Sequence, residues 1–338
     1  MTQAVTAPRA LADLIEEAGG RTACLAMSKD PNAKVTILIF PPGARQPELV
    51  AKVPTTDDAA RDVEREAGLL AAIARRGLGP VAATVPRIVA MAEHLGRPVM
   101  VTTALPGQAM LAAYHAWRHT ARPARVAADF AAAGSWLTAL HHATAAGEIS
   151  LASTLDGVPG VIGRRFGERP GTQDDLASLA GLQDRLASHR TAATVVHGDL
   201  WAGNLLLAGG QVSGVVDWER AQDCGPPTRD LARFALSYSL YLDRHTRPGR
   251  RVTGHPGLRA GGWGAGVEYA MNGSGWYPRL AQQFMTEALG AIGIAGSCWR
   301  DLLLAELAAI AAEADHADFA WEHLLLFRRL CRGSRPCP

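Results

Sequence analysis

The stretch VVHGDLWAGNLLL, Val195–Leu207, followed by VSGVVDWE, Val212–Glu219, decides how this chain is read. An apolar run ends at His197-Gly198-Asp199, four residues lead on to Asn204, and Gly209-Gly210 turns the chain into a second apolar run that ends at Asp217. Two short strands joined by such a turn set a carboxylate, a carboxamide and a second carboxylate at adjacent strand ends. Phosphoryl transfer asks for this set: one acid to orient the acceptor hydroxyl and take its proton, and two oxygen ligands to hold Mg²⁺ across nucleotide phosphates.

Working outward towards the N-terminus, Val35–Phe40, Glu48–Val53 and Arg97–Leu105 are apolar, β-branched runs separated by Pro41-Pro42-Gly43 and Leu95-Gly96, and read as antiparallel strands. A helix lies between the second and third, opened by Thr55 or Thr56 with Asp57 and Asp58 and closed by Gly77. Lys52, one of only three lysines, sits inside the run LVAKV, where an unpaired ammonium is costly to bury. At 100° per residue, Ala59, Val63, Leu70 and Ile73 share one helix face with Glu66, while Glu64 lies opposite. Glu66 is therefore the partner expected for Lys52.

Beyond Pro106 the periodicity is helical over Val126–Thr144, Gln173–Ser188, Arg229–Leu242, Tyr277–Gly290 and one continuous run Trp299–Cys331. The expected fold class is α+β and bilobal: an antiparallel-sheet lobe with one key helix over residues 1–105, then a larger helical lobe over residues 106–338. Residues 243–276 read as an irregular insertion dense in Gly, Pro and Arg, an ordered acceptor wall or lid carrying Trp263, Tyr269 and Trp276.

The pattern H-G-D-x-x-x-x-N followed by an apolar strand ending in D-W resembles the catalytic segment of the aminoglycoside phosphotransferase and choline kinase-like family, small-molecule kinases with a protein-kinase-like fold. The resemblance implies Asp199 as catalytic base, Asn204 and Asp217 as metal ligands, and His197 and Asp230 as structural supports of the catalytic loop. It also implies Lys52 on the α and β phosphates, held by Glu66, whose setting R-E-A-G-L-L resembles the family's glutamate helix. Arg97–Gly107 resembles the hinge, with backbone groups at Thr102, Thr103 and Ala104 receiving adenine. A Gly-rich loop is absent between Thr22 and Lys34, leaving Ser28, Lys29 and Asn32 as candidates to cover the phosphates. The implied cofactors are ATP, with GTP left open, and Mg²⁺.

The 338 residues carry 34 basic and 32 acidic side chains, a net +2 that is too balanced for the basic footprint of a nucleic-acid binder. No apolar run reaches membrane-spanning length and the N-terminus lacks a signal pattern, so a soluble cytoplasmic protein, monomer or homodimer, is expected. The five cysteines form no C-x-x-C pair and are expected to be reduced. Asp230 follows Asp217 within 13 residues, too close for the peptide-docking segment of a protein kinase. An inactive nucleotide-binding scaffold is disfavoured because all five polar positions are filled. The expected acceptor is a hydroxylated small molecule, an antibiotic or, alternatively, a metabolic sugar, amino sugar or amino alcohol. Between Leu242 and Phe284, Asp243 and Glu268 face six arginines, and the acids of the last helix, Glu306 among them, read as a solvated face. The acceptor is thus expected to be neutral or anionic (a sugar, uronic acid or nucleoside-type compound), stacked on Trp263, Tyr269 or Trp276.

Overall fold

Period-two burial builds the first sheet. Along Leu49–Pro54, Ala51 and Val53 are buried with Val99 and Val101 of Arg97–Thr103, while Lys52 stands on the opposite face, in register with Met100. The computed structural model, which describes residues 9–27 and 33–333, sets these two strands at the centre of a six-stranded sheet. Its members are β1 (Arg9–Ala10), β2 (Arg21–Met27), β3 (Lys34–Phe40), β4 (Leu49–Pro54), β5 (Ile88–His94) and β6 (Arg97–Thr103), in the order β1-β5-β6-β4-β3-β2. All neighbours pair antiparallel except β1 with β5. Helix α1 (Leu11–Glu17) covers one face through Leu11 and Leu14. Helix α2 (Asp57–Ala74) covers the other, its Val63, Ala67, Leu70 and Ile73 joining Met100 in the main core. Thr56 caps α2 by accepting the Ala59 N–H at 3.1 Å. Strands β2 and β5 are absent from the sequence reading: β2 exposes Cys24 and Leu25 at the sheet edge, and β5 carries two alanines, so neither shows a strand composition.

The second lobe runs through β7 (Gln108–Ala109), α3 (Met110–Tyr114), α4 (Pro123–Thr144), β8 (Ala146–Ser150), α5 (Val158–Phe166), α6 (Thr172–Ala187) and β9 (Arg190–Val196). It continues with β10 (Leu205–Ala208), β11 (Gln211–Val215), β12 (Gln222–Gly225), α7 (Thr228–Leu240), β13 (Arg251–Val252), β14 (His255–Arg259), α8 (Ala265–Asn272), α9 (Trp276–Ala291), α10 (Trp299–Glu313) and α11 (Ala317–Gly333). Helix α4 is the spine, because Val126, Phe130, Ala133, Leu137 and Leu140 recur at intervals of three and four and all are buried. Among the described residues no helix is long and apolar enough to cross a membrane.

Three expectations need correction. The run Trp299–Cys331 is two helices: Ala314 is extended, with φ −63° and ψ 133°, and α11 packs back against α10. Residues 243–276 are not irregular throughout, since they fold into the β13–β14 hairpin and α8. Glu306 is no part of a solvated face. It is fully buried, 2.8 Å from Arg233 Nε and 3.5 Å from Arg229 Nε, because α10 is enclosed by its neighbours and meets the basic side of α7. Burial pushes the Glu306 carboxyl up to about 7 against the pull of Arg233 and Arg229, so above that pH Glu306→Gln is expected to cost about 3 kcal/mol or more, since two buried guanidiniums then share only Glu313. A urea midpoint equal to that of the native chain would show that the cluster contributes nothing.

Candidate active site

The end of β9 carries the loop His197–Asn204, and the turn after β11 brings Asp217 beside it. Gly198 has φ 79°, and a Cβ there would stand 2.2 Å from the Arg220 carbonyl oxygen, so the loop admits only glycine. Asp230 at the start of α7 accepts the N–H groups of His197 at 2.6 Å and Gly198 at 2.9 Å, the bracing role expected of it. His197 is fully buried against Trp218; its Nε2–H donates to the Val216 carbonyl at 3.0 Å and its Nδ1 accepts the Asp199 N–H at 3.3 Å. Both ring nitrogens are occupied, which suits a structural member and leaves none for a substrate proton.

Asn204 Nδ2 donates to the Asp199 carbonyl at 2.9 Å, leaving its Oδ1 as the remaining acceptor. Asp217 is held at φ 68°, a left-handed conformation that Asp tolerates better than most residues, and its Oδ1 lies 2.7 Å from Lys52 Nζ. Asn204 and Asp217 thus offer one oxygen each in the same cavity. That pair suits Mg²⁺, which takes one or two protein ligands together with substrate phosphates and water. Among the described residues, no cluster of three or more His, Cys, Asp or Glu forms a dedicated metal cage.

Lys52 lies 2.7 Å from both oxygens of Glu66, and Glu66 Oε1 also accepts the Trp218 N–H at 3.0 Å. The helix-face reading therefore places the ion pair, with Glu66 buried and Glu64 exposed. Burial pushes the Lys52 ammonium down, but Asp217 and Glu66 outweigh it and hold the lysine protonated. Burial likewise pushes the Asp217 carboxyl up, and Lys52 outweighs it, keeping the acid ionised.

Some expected residues do not come to the site as read. Ser28, Lys29 and Asn32 lie outside the described residues. At the hinge, the N–H of Thr103 is spent on the Arg87 carbonyl and that of Ala104 on the Glu48 carbonyl, while Thr102 is buried within the β-ladder. The next amide, on Leu105, has no partner among the described residues. Tyr269 is buried and stacked on Tyr277, Trp276 donates to the Gly254 carbonyl at 2.8 Å, and Trp263 packs behind Phe319 and His323. None of the three aromatics lines a cavity beside Asp199, because the turn before α8 (Trp263), α8 (Tyr269) and the start of α9 (Trp276) direct these rings into the lobe's own packing.

Two adjoining cavities meet at Asp199. One, of about 290 Å³, holds Asn204, Asp217 and Glu219; the other, of about 240 Å³, lies under α7, α10 and α11. The carboxylate of Asp199 has no hydrogen bond or ion pair among the described residues and lines both. Lys34 pairs with Glu219, and Arg233 donates to the Gly198 carbonyl at 3.0 Å. Sequence reading missed both contacts; the only local signal was Glu219 standing two residues after Asp217.

The profile of the phosphotransferase enzyme family matches residues 42–264. No curated protein matches the sequence. Among solved structures, the fold is similar to a thermostable mutant of aminoglycoside phosphotransferase APH(4)-Ia in ternary complex with ADP and hygromycin B, with TM-score 0.59 and 13% identity over 96% of this chain and 98% of that one. The apo form of that mutant gives TM-score 0.57 and 13% identity over 95% and 96%. Macrolide 2′-phosphotransferase MphH from Brachybacterium faecium gives TM-score 0.49 and 16% identity over 97% and 100%.

Proposed function

Because the chain belongs to the phosphotransferase enzyme family, we propose that it moves the γ-phosphoryl group of ATP, with Mg²⁺, onto a hydroxyl of a small antibiotic-type molecule. The observation that carries this reading is the uncommitted Asp199 carboxylate facing Asn204 and Asp217 across one cavity. The acceptor oxygen bonds to the γ-phosphorus, the bond from that phosphorus to the β–γ bridging oxygen breaks, Asp199 takes the hydroxyl proton, and ADP leaves. Asn204 Oδ1 and the second oxygen of Asp217 would hold Mg²⁺, which would neutralise charge on the phosphates. Lys52, fixed by Glu66, meets the α and β phosphates. Adenine meets the hinge backbone beyond the ladder, around Ala104 and Leu105, since Thr102 is paired within the sheet and the Thr103 and Ala104 amides are engaged. The likeness in fold to an antibiotic kinase supports an antibiotic acceptor.

Calorimetric titration tests the metal role. The native chain is expected to bind ATP more tightly with Mg²⁺ than without it, and Asp217→Ala to lose that difference. Equal Mg²⁺ dependence in the two proteins would remove Asp217 from the ligand set.

A further inference from the structure

Every carboxylate around the two cavities except that of Asp199 is in an ion pair with a cation of the chain, and Asp199 interacts with Arg220 only at longer range. Asp217 meets Lys52, Glu219 meets Lys34, Glu313 meets Arg229 and Arg233, and Asp315 meets Arg220 at 2.8 Å. The cations are committed in turn, Arg233 to Glu306, Glu313 and the Gly198 carbonyl. The 240 Å³ cavity contains no other charged residue besides Asp199 and Arg233, and burial pushes His323 down to about 4, so its ring is neutral near pH 7. The rest of its wall is mostly apolar: Leu236, Leu240, Val267, Leu307, Ile310 and Leu326. An ammonium entering here finds only Asp199 to pair with, and that carboxylate is the group that must face the acceptor hydroxyl. A carboxylate entering here finds no free cation. The six arginines of residues 242–284 that weigh against a polycation in the sequence are all exposed and line neither cavity, so the exclusion comes from the paired interior.

We infer that this cavity takes an uncharged acceptor that presents its hydroxyl to Asp199 and an apolar face to the α7–α10–α11 wall, which removes uronic acids and polycations alike. The inference rests on the proposed role of Asp199 and names the substrate class of that site.

The test is calorimetric, with the full chain and four probes: octyl β-D-glucopyranoside below its micelle concentration, glucose, octyl β-D-glucuronide and octyl 2-amino-2-deoxy-β-D-glucopyranoside. The neutral octyl glycoside is expected to bind saturably and at least about ten-fold more tightly than glucose, since burying two methylenes alone is worth about that factor, and more tightly than the two charged octyl glycosides, whose ionised group loses water on entry and finds no free partner that leaves Asp199 to the hydroxyl. Ser237 is a half-buried wall residue whose Oγ bonds only within its own helix, to the Phe234 carbonyl. Ser237→Asp should add an uncommitted carboxylate and reverse the order, placing the amino glycoside first. Equal or tighter binding of a charged probe by the native chain, or an unchanged order in Ser237→Asp, would overturn the inference. ATP turnover measured on the same samples separates the two claims: absent phosphotransfer with this binding order intact defeats the kinase reading and spares the cavity's chemistry.

Discussion

Asp199→Asn is expected to bind Mg²⁺ and ATP like the native chain while losing about 10² to 10⁴ in turnover, the range a positioned general base contributes. The carboxamide keeps the shape and cannot take a proton. Because the loop is held through the backbone of His197 and Gly198 by Asp230, and through Asn204 to the Asp199 carbonyl oxygen, its path does not depend on the Asp199 side chain. The expected loss is therefore in the chemical step. Steady-state kinetics with a fold check by circular dichroism measures it, and turnover within a few-fold of native would show that Asp199 is not the base.

Lys52→Ala is expected to lower turnover by about 10² to 10³, the scale of removing one preorganised charge that stabilises a transition state. Lys52→Arg should not restore it. The Nζ point charge sits 2.7 Å from Glu66 and 2.7 Å from Asp217 at once, and a longer planar guanidinium cannot occupy that spot without displacing one of them. Glu66→Gln should be harmful through the same pair, whereas Glu64→Gln, on the exposed face of α2, should be nearly silent. Kinetics on the four variants decides the matter. Full rescue by Lys52→Arg, or equal effects at Glu64 and Glu66, would refute the pairing.

The legible parts of this site are those that a short-range rule places. Lys52 follows from the two-residue period of β4, Glu66 from the helical period of α2, and Asp199, Asn204 and Asp217 from strand ends joined by one turn. The bilobal fold was legible for the same reason, since each lobe shows its own periodicity. Pairings between distant segments were not. Lys34 meets Glu219 across 185 positions, and Glu306 lies on a helix whose burial is set by α5, α6, α7 and α11 rather than by its own pattern. Trp263, Tyr269 and Trp276 cluster in sequence but are spent on the lobe's own packing, whereas the cavity proposed for the acceptor draws four residues from α7, one from α8, two from α10 and three from α11, which no local pattern brings together. Two features hid these strands, an exposed edge in β2 and alanines in β5, so the sheet is larger than its visible strands.

The most direct test of the central claim is to incubate the purified chain with Mg²⁺, ATP labelled in the γ-phosphoryl group and a neutral hydroxylated acceptor bearing an apolar face, and to follow the label by mass spectrometry. The account predicts label in a phosphate ester of the acceptor, formed with Mg²⁺, absent when the metal is chelated, and reduced about 10² or more in Asp199→Asn. Label found only in inorganic phosphate, or ester formed equally by Asp199→Asn, would contradict it.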